Sequence, residues 1–243
     1  MSTRGTLYGV GVGPGDPELM SLKAARILRS APVIAYFAKK GSVGNARRIV
    51  DGELNPQAEL IRLDYPFTTE RPETDPCYRD ALVAFYDASA AMLAAKLDAG
   101  QDVAVICAGD PFFYGSYRHL HERLAGTHRC EVIPGITAMS GCWTRALMPM
   151  TCGDEMLAVL SGTMDGDALV ERLAASDAAV IMKVGRNLAK IREALARAGK
   201  LDRAVYVERG TMREERIVRL AEKPDDQAAY FAIVLVPGER KPL

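Results

Sequence analysis

No apolar run in this 243-residue sequence approaches the ~20 residues that cross a bilayer, and the first residues enter a strand pattern at once. Neither a membrane span nor a signal peptide is therefore expected, and the setting reads as cytoplasmic. Charge of one sign is missing as well: 31 Lys and Arg stand against 31 Asp and Glu. Nucleic acid and membrane surfaces both call for a basic excess, so neither is expected as a partner. Histidine is scarce, and His119 and His121, two apart on a helix, point in different directions, so no metal site is expected. The cysteines Cys77, Cys107, Cys130, Cys142 and Cys152 are odd in number with no C-x-x-C pair, which fits neither a disulfide framework nor a zinc site. No G-x-x-x-x-G-K-[ST] occurs, which excludes a P-loop. A dinucleotide fingerprint fails too: counted from Gly11 its third glycine is Asp16, and counted from Gly9 it is Pro14.

What is present is glycine in particular places. Leu7 to Val12 reads as a strand, followed by Gly13-Pro14-Gly15-Asp16-Pro17. Asp16 is a good N-cap, Pro17 suits a first helical position, and Met20, Ala24, Ile27, Leu28 and Ala31 follow at helical spacing. The glycines then lie at the carboxyl end of a strand, the edge at which open α/β sheets bind small molecules. Four glycines and a proline between Gly9 and Gly15 exceed what a tight turn requires, which favours a ligand turn.

Strand patterns at 6–12, 32–37, 58–64, 102–107, 130–133, 156–161, 178–184, 204–209 and 229–236 alternate with helical ones, as in parallel sheets joined by crossovers. The long alanine-rich stretch Tyr78 to Ala99 reads as a helix with Leu82, Phe85, Ala88, Met92 and Ala95 on one side, closed by Gly100. So many strands suit two α/β domains with mainly parallel sheets, and the polar break at Gly126-Thr127-His128 places them at 1–123 and 124–243. The loop Thr68 to Pro76, with two prolines and several acids, is the best candidate for a mobile flap.

Gly15-Asp16-Pro17 is echoed in the second turn, Ala108-Gly109-Asp110-Pro111-Phe112-Phe113-Tyr114-Gly115-Ser116, where Asp110 is read as at least an N-cap. A third turn, Pro134-Gly135-Ile136-Thr137-Ala138, follows another strand. Small residues at such places let backbone groups approach a ligand closely, and Thr137 adds a hydroxyl.

In this order, G-x-G-P-G-D-P, G-D-P-x-x-Y-G and P-G-I-T-A resemble the tetrapyrrole methyltransferases that use S-adenosylmethionine. The strand and helix pattern extends the likeness along the whole chain. Further stretches resemble the branch of that family acting in cobalamin biosynthesis: Val33 to Phe37 with Lys39, Gly115 to His121, Pro134 to Trp143, Val180 to Asn187 and Tyr206 to Met212. The resemblance implies two α/β domains with a ligand cleft between them, a homodimer, and S-adenosylmethionine as cofactor. Matched position by position, it implies cofactor contacts from Pro14, Ala108, Gly109, Asp110, Phe113, Thr137, Ala138, Val184 and Gly210. Relatives often carry glycine where Ala108 stands and methionine where Val184 stands.

The reaction implied is direct methyl transfer to a ring carbon, followed by loss of that carbon's proton, without a metal or covalent enzyme intermediate. Tyr114, His119 or water are open choices for the proton acceptor. A substrate rich in carboxylates calls for donors, and Arg47, Arg48, Tyr114, Arg118, Lys183 and Arg186 are the candidates. Trp143, Met139, Met148 and Met150 could line an apolar wall, with core packing the default. Nothing local separates a metal-free ring from a cobalt-bearing one, although Tyr117 to His121 and Tyr206 to Met212 look more like the metal-free type. A tetrapyrrole carrier without chemistry is the rival of another class, but it has no need of an adenosine pocket.

Overall fold

The computed structural model describes residues 4–66 and 76–239. Apart from Pro76, the loop expected as a flap lies outside the described residues. The chain divides into two units, Met1–Thr137 and Ala138–Leu243.

The first unit is built on β1 (Thr6–Gly11), β2 (Val33–Lys39), β3 (Glu59–Tyr65), β4 (Val103–Cys107) and β5 (Arg129–Ile133). They form one sheet in the order β3-β2-β4-β1-β5, with every pairing parallel. Because β5 pairs with β1 along Thr6 to Val10, residues 124–137 belong with this unit, and the division falls after Thr137 rather than near residue 124. The helices are α1 (Leu22–Ser30), α2 (Asn45–Ile49), α3 (Pro76–Asp98) and α4 (Tyr117–Leu124).

Strand residues alternate between faces. Val103, Val105 and Cys107 pack with α3 and α4 through Leu93, Leu97, Tyr117 and Leu120. Ala104 and Ile106 pack with α1 and α2 through Ala24, Leu28, Ala46 and Ile49. Each such fully buried Leu, Ile or Val stabilises the fold by about 1.5–3 kcal/mol. The expected face of α1 is the one buried; that of α3 is partly buried only at Leu82 and Phe85, which pack against the core. Tyr86, Ala90, Leu93 and Leu97 are buried, whereas Ala88, Met92 and Ala95 face outward. This helix is apolar nearly all round, so spacing alone left its inner face undetermined.

The second unit comprises α5 (Ala138–Arg145), β6 (Leu157–Ser161), α6 (Gly166–Ala174), β7 (Ala178–Met182), α7 (Leu188–Arg197), β8 (Val205–Glu208), β9 (Arg216–Arg219) and β10 (Ala232–Val236). Its sheet runs β6-β7-β10-β8-β9; β6 and β7 are parallel, and β10 lies antiparallel between β7 and β8. Strands β7 and β8 therefore run the same way and end at the same edge. Over the two sheets five of eight pairings are parallel. Strand β9 is absent from the sequence reading because Arg-Ile-Val-Arg has no period-two pattern; its antiparallel pairing with β8 makes it a strand. Helices α6 and α7 cover one face through Leu169, Leu173, Ile191 and Leu195. Helix α5 covers the other through Cys142.

Candidate functional site

Strands β1 and β4 are neighbours, yet the helices after them cover opposite faces of the sheet. Such a switch in winding direction is where open α/β sheets bind ligands, outside the carboxyl strand ends. Both glycine-aspartate-proline turns leave from these two strands, and the third turn leaves β5 on the far side of β1.

Beyond β1, Val12 N–H donates to Cys107 O at 2.9 Å, and Gly109 N–H donates to Gly13 O at 2.7 Å. Gly13 has φ 83°, backbone that costs a residue with a side chain about 1–2 kcal/mol. Asp16 caps as expected, accepting from Glu18 N–H at 2.9 Å, but it caps a single 3₁₀ turn, Pro17–Leu19. Met20 is extended, so the helix proper starts afresh at Leu22, with Ser21 Oγ accepting from Ala24 N–H at 3.2 Å. The expectation that Asp16 opens α1 is corrected accordingly.

Asp110 departs further from its expected role. Its Oδ1 accepts from Phe112 N–H at 2.9 Å, but no helix starts here, and α4 begins only at Tyr117. Its Oδ2 accepts from Gly135 N–H at 3.1 Å. The carboxylate thus ties the second turn to the third instead of capping a helix. Charge-assisted bonds of this kind contribute about 1.5–3 kcal/mol each.

Backbone meets backbone where the three turns come together. A Cβ on Gly135 would lie 2.1 Å from Gly109 O, and one on Gly11 would lie 2.5 Å from Gly135 N and 2.7 Å from Gly109 O. The turns are therefore one assembly whose contacts admit no side chain. Around it Pro14 and Gly109 are buried, while Ala108, Asp110, Phe113 and Thr137 are partly exposed. Beside this polar backbone lie Phe112, Tyr114 and Ile136, exposed by 51, 53 and 42%. Apolar side chains left in water next to small residues and backbone groups suit a ligand with both a flat apolar ring and polar edges, as an adenosyl group has. Phe112 and Ile136 were not singled out from the sequence, since exposure leaves no mark in composition. Tyr114 holds φ 54°, strained for an aromatic residue. Cys107, at the end of β4, has its thiol pushed up to about 12 by burial, so it stays protonated and is no nucleophile.

A cluster of hydroxyls and rings adjoins the second turn. Tyr65 Oη donates to Ser116 Oγ at 2.5 Å, Phe37 stacks on Tyr65 at 5.4 Å, and the rings of Tyr86 and His119 lie 4.4 Å apart. Burial lowers the His119 pKa below its ordinary value, with Arg118 adding to the effect, so the imidazole is neutral at pH 7. His121 turns elsewhere, edge-on to Phe112 at 5.0 Å.

In the second unit, Lys183 follows β7 with φ 55°, and Arg209 and Thr211 follow β8 with φ 50° and 68°. Three left-handed residues that are not glycine, at two strand ends on one edge, mark strained loops of the kind found at binding sites. Val184 is fully buried in the core with Leu188 and Ile191, so only its backbone can serve a ligand. Gly210 is buried, and a Cβ there would lie 2.6 Å from Cys142 Sγ. Burial pushes the Cys142 thiol up to about 12. Ala138, the first residue of α5, is partly buried. Trp143, Met139, Met148 and Met150 all pack in this unit's core beside Cys142, as their default reading holds.

Of the proposed donors, Arg47 pairs with Asp51 at 2.5 Å and Arg118 lies 3.9 Å from Glu122. Arg48, Lys183 and Arg186 are exposed. Asn187 Nδ2 donates to Lys183 O at 3.1 Å, supporting that residue's left-handed turn.

The model of the tetrapyrrole (corrin/porphyrin) methylases matches residues 6–223. The chain is 58% identical over 234 residues to the precorrin-2 C(20)-methyltransferase of a Sinorhizobium species, covering 96% of each. It is 32% identical over 235 residues to the cobalt-precorrin-2 C(20)-methyltransferase of Salmonella typhimurium, again 96% of each. Among solved structures, the uroporphyrin-III C-methyltransferase of Thermus thermophilus complexed with S-adenyl homocysteine aligns with a TM-score of 0.68 at 25% identity, over 96% of this chain and 92% of that one. The cobalt precorrin-4 methyltransferase shares the fold with a TM-score of 0.74 at 20% identity, over 96% of this chain and 94% of that one. A match over nearly all of the folded chain, carried by turns that the fold assembles at one sheet edge, makes this chain a member of the tetrapyrrole methylase family.

Proposed function

We propose that this protein transfers a methyl group from S-adenosylmethionine to C-20 of precorrin-2, giving precorrin-3A in cobalamin biosynthesis. The observation that carries the reading is the 58% identity to a precorrin-2 C(20)-methyltransferase along 96% of both chains. The assembled turns of the first unit support the cofactor, and a neutral chain of this family without a long apolar helix among its described residues suits a cytoplasmic enzyme; the family resemblance is what supports a homodimer.

Pro14, Ala108, Gly109, Asp110, Phe113 and Thr137 would hold the cofactor from the first unit, with Phe112 and Ile136 beside its apolar parts. The family resemblance adds Ala138, the backbone of Val184 and Gly210 as further contacts. When bound, the cofactor supplies an electrophilic methyl group. The protein's own part is to orient the reacting groups and keep water from them, which accounts for apolar and backbone surfaces in place of charged nucleophiles. Arg47, Arg48, Arg118, Lys183 and Arg186 would meet the carboxylates of the ring, with Tyr114 at the second turn. The acceptor of the proton released from the methylated carbon is left unassigned among Tyr114, the neutral imidazole of His119 and water.

Purified protein incubated with precorrin-2 and methyl-labelled S-adenosylmethionine tests this directly, with carbon NMR locating the label at C-20. Label taken up only by cobalt-precorrin-2 would assign the chain to the metallated substrate. Failure to bind S-adenosylhomocysteine in calorimetric titration would point to a carrier.

A further inference from the structure

The loop of residues 209–215 joins β8 to β9 and holds two non-glycine residues, Arg209 and Thr211, in left-handed backbone. Such strain persists only where the surroundings over-determine it. Here helix α5 is part of those surroundings. Gly210 lies so close to Cys142 that a Cβ would fall 2.6 Å from its sulfur. Arg145, three residues further along α5 and so on the same face as Cys142, donates from Nε to both Glu215 oxygens, at 3.0 and 2.9 Å. Glu215 Oε2 accepts in addition from Thr211 N–H at 2.7 Å. The Glu215 carboxylate is only 15% exposed. It therefore joins a helix, a strained loop residue and the start of β9, using both the charge and the lone pairs of one side chain.

We infer that Glu215 is a positioning residue of the cofactor site, locking the loop 209–215 onto α5 so that Gly210 and Ala138 are presented in fixed places. This rests on the reading above, in which those two residues touch the cofactor. Glu215 itself need not touch the ligand. Its role is to hold a backbone segment that would otherwise relax out of its left-handed conformation.

The test combines calorimetric titration of S-adenosylhomocysteine with amide hydrogen exchange of the ligand-free protein. Glu215→Ala is expected to weaken the inhibitor about tenfold, a change large enough to separate from scatter, and to speed exchange at Gly210 to Met212. Glu215→Gln keeps an oxygen for Thr211 N–H while losing the ion pair, and is expected to recover part of the affinity. Arg197→Ala breaks an exposed ion pair with Asp167 elsewhere in the same unit and is expected to change neither readout. Unchanged affinity in Glu215→Ala, or an equal loss in Arg197→Ala, overturns the positioning role. Should Glu215→Ala not fold, Arg145→Met removes one side of the joint and carries the same test, with a severalfold weaker affinity expected and no change overturning the inference. A wild-type protein that does not bind S-adenosylhomocysteine sinks the cofactor reading itself, a result distinguishable from any of these.

Discussion

The strand-end loops of the two units solve the same geometric problem by opposite means. In the first unit the turns touch through bare backbone, and Gly11 and Gly135 stand against Gly109 where no side chain fits. In the second, Lys183, Arg209 and Thr211 adopt left-handed backbone despite their side chains, and two of these turns are braced, one by Asn187 donating to Lys183 O and one by Glu215 accepting from Thr211 N–H. Glycine leaves a visible motif. Strain held by a side chain four residues further along leaves none, which is why the first set of turns read as a ligand site from its own residues and the second entered only through the family resemblance.

The contrast is broken most severely at Gly135. Gly135→Val drives a side chain into Gly109 O, and is expected to destabilise the first unit by about 3 kcal/mol and abolish methyl transfer, as a thermal melt and a product assay would reveal. A variant that melts like the wild type would mean that the turns are not in contact. Next in size is Asp110→Ala, which leaves the N–H groups of Phe112 and Gly135 without their carboxylate acceptor. A loss of about 1–3 kcal/mol in denaturant unfolding, with clearly weaker S-adenosylhomocysteine binding, is expected, and unchanged affinity would remove Asp110 from the cofactor site.

Lys183→Gly sharpens the comparison from the other side. It releases left-handed strain of about 1–2 kcal/mol against an entropy cost of about 0.4–1 kcal/mol, so it is expected to stabilise the protein by about 0.5–1 kcal/mol while raising KM for the tetrapyrrole through loss of a cation. Higher stability with unchanged KM would leave Lys183 strained but outside the substrate site. The smallest effect concerns His119. Its folded pKa lies below the ordinary 6.5, so as pH falls through that value the unfolded chain takes up a proton that the folded one refuses, and stability declines until the folded pKa is passed. The urea midpoint is expected to drop modestly from about pH 7.5 to about 5.5, and His119→Asn to flatten part of that drop. A slope identical in both proteins would dissociate His119 from it.

Much of the first unit was legible in advance because its signals are local. Parallel strands buried on both faces read as short apolar runs, and glycine beside aspartate and proline punctuates their ends. The boundary near residue 124 was drawn at a polar break that proves to be the connection from α4 into β5, since polar residues mark any exposed turn and not only a linker. Asp110 was recognised as a turn residue, but its bond to Gly135 spans 25 positions and no spacing rule reaches that far. The inner face of α3 was hidden for a different reason: alanine on every side of a helix makes many faces equally good.

By itself the amino-acid order determined the alternation of strand and helix, the two α/β units and the backbone bends that can approach a ligand, because each depends on the periodicity and conformational range of neighbouring residues. Only the tertiary structure decided that β5 lies beside β1, that Asp110 links two turns, and that Arg145 and Glu215 brace a strained loop. Those are contacts between residues distant along the chain, and their partners are chosen by packing rather than by any local preference.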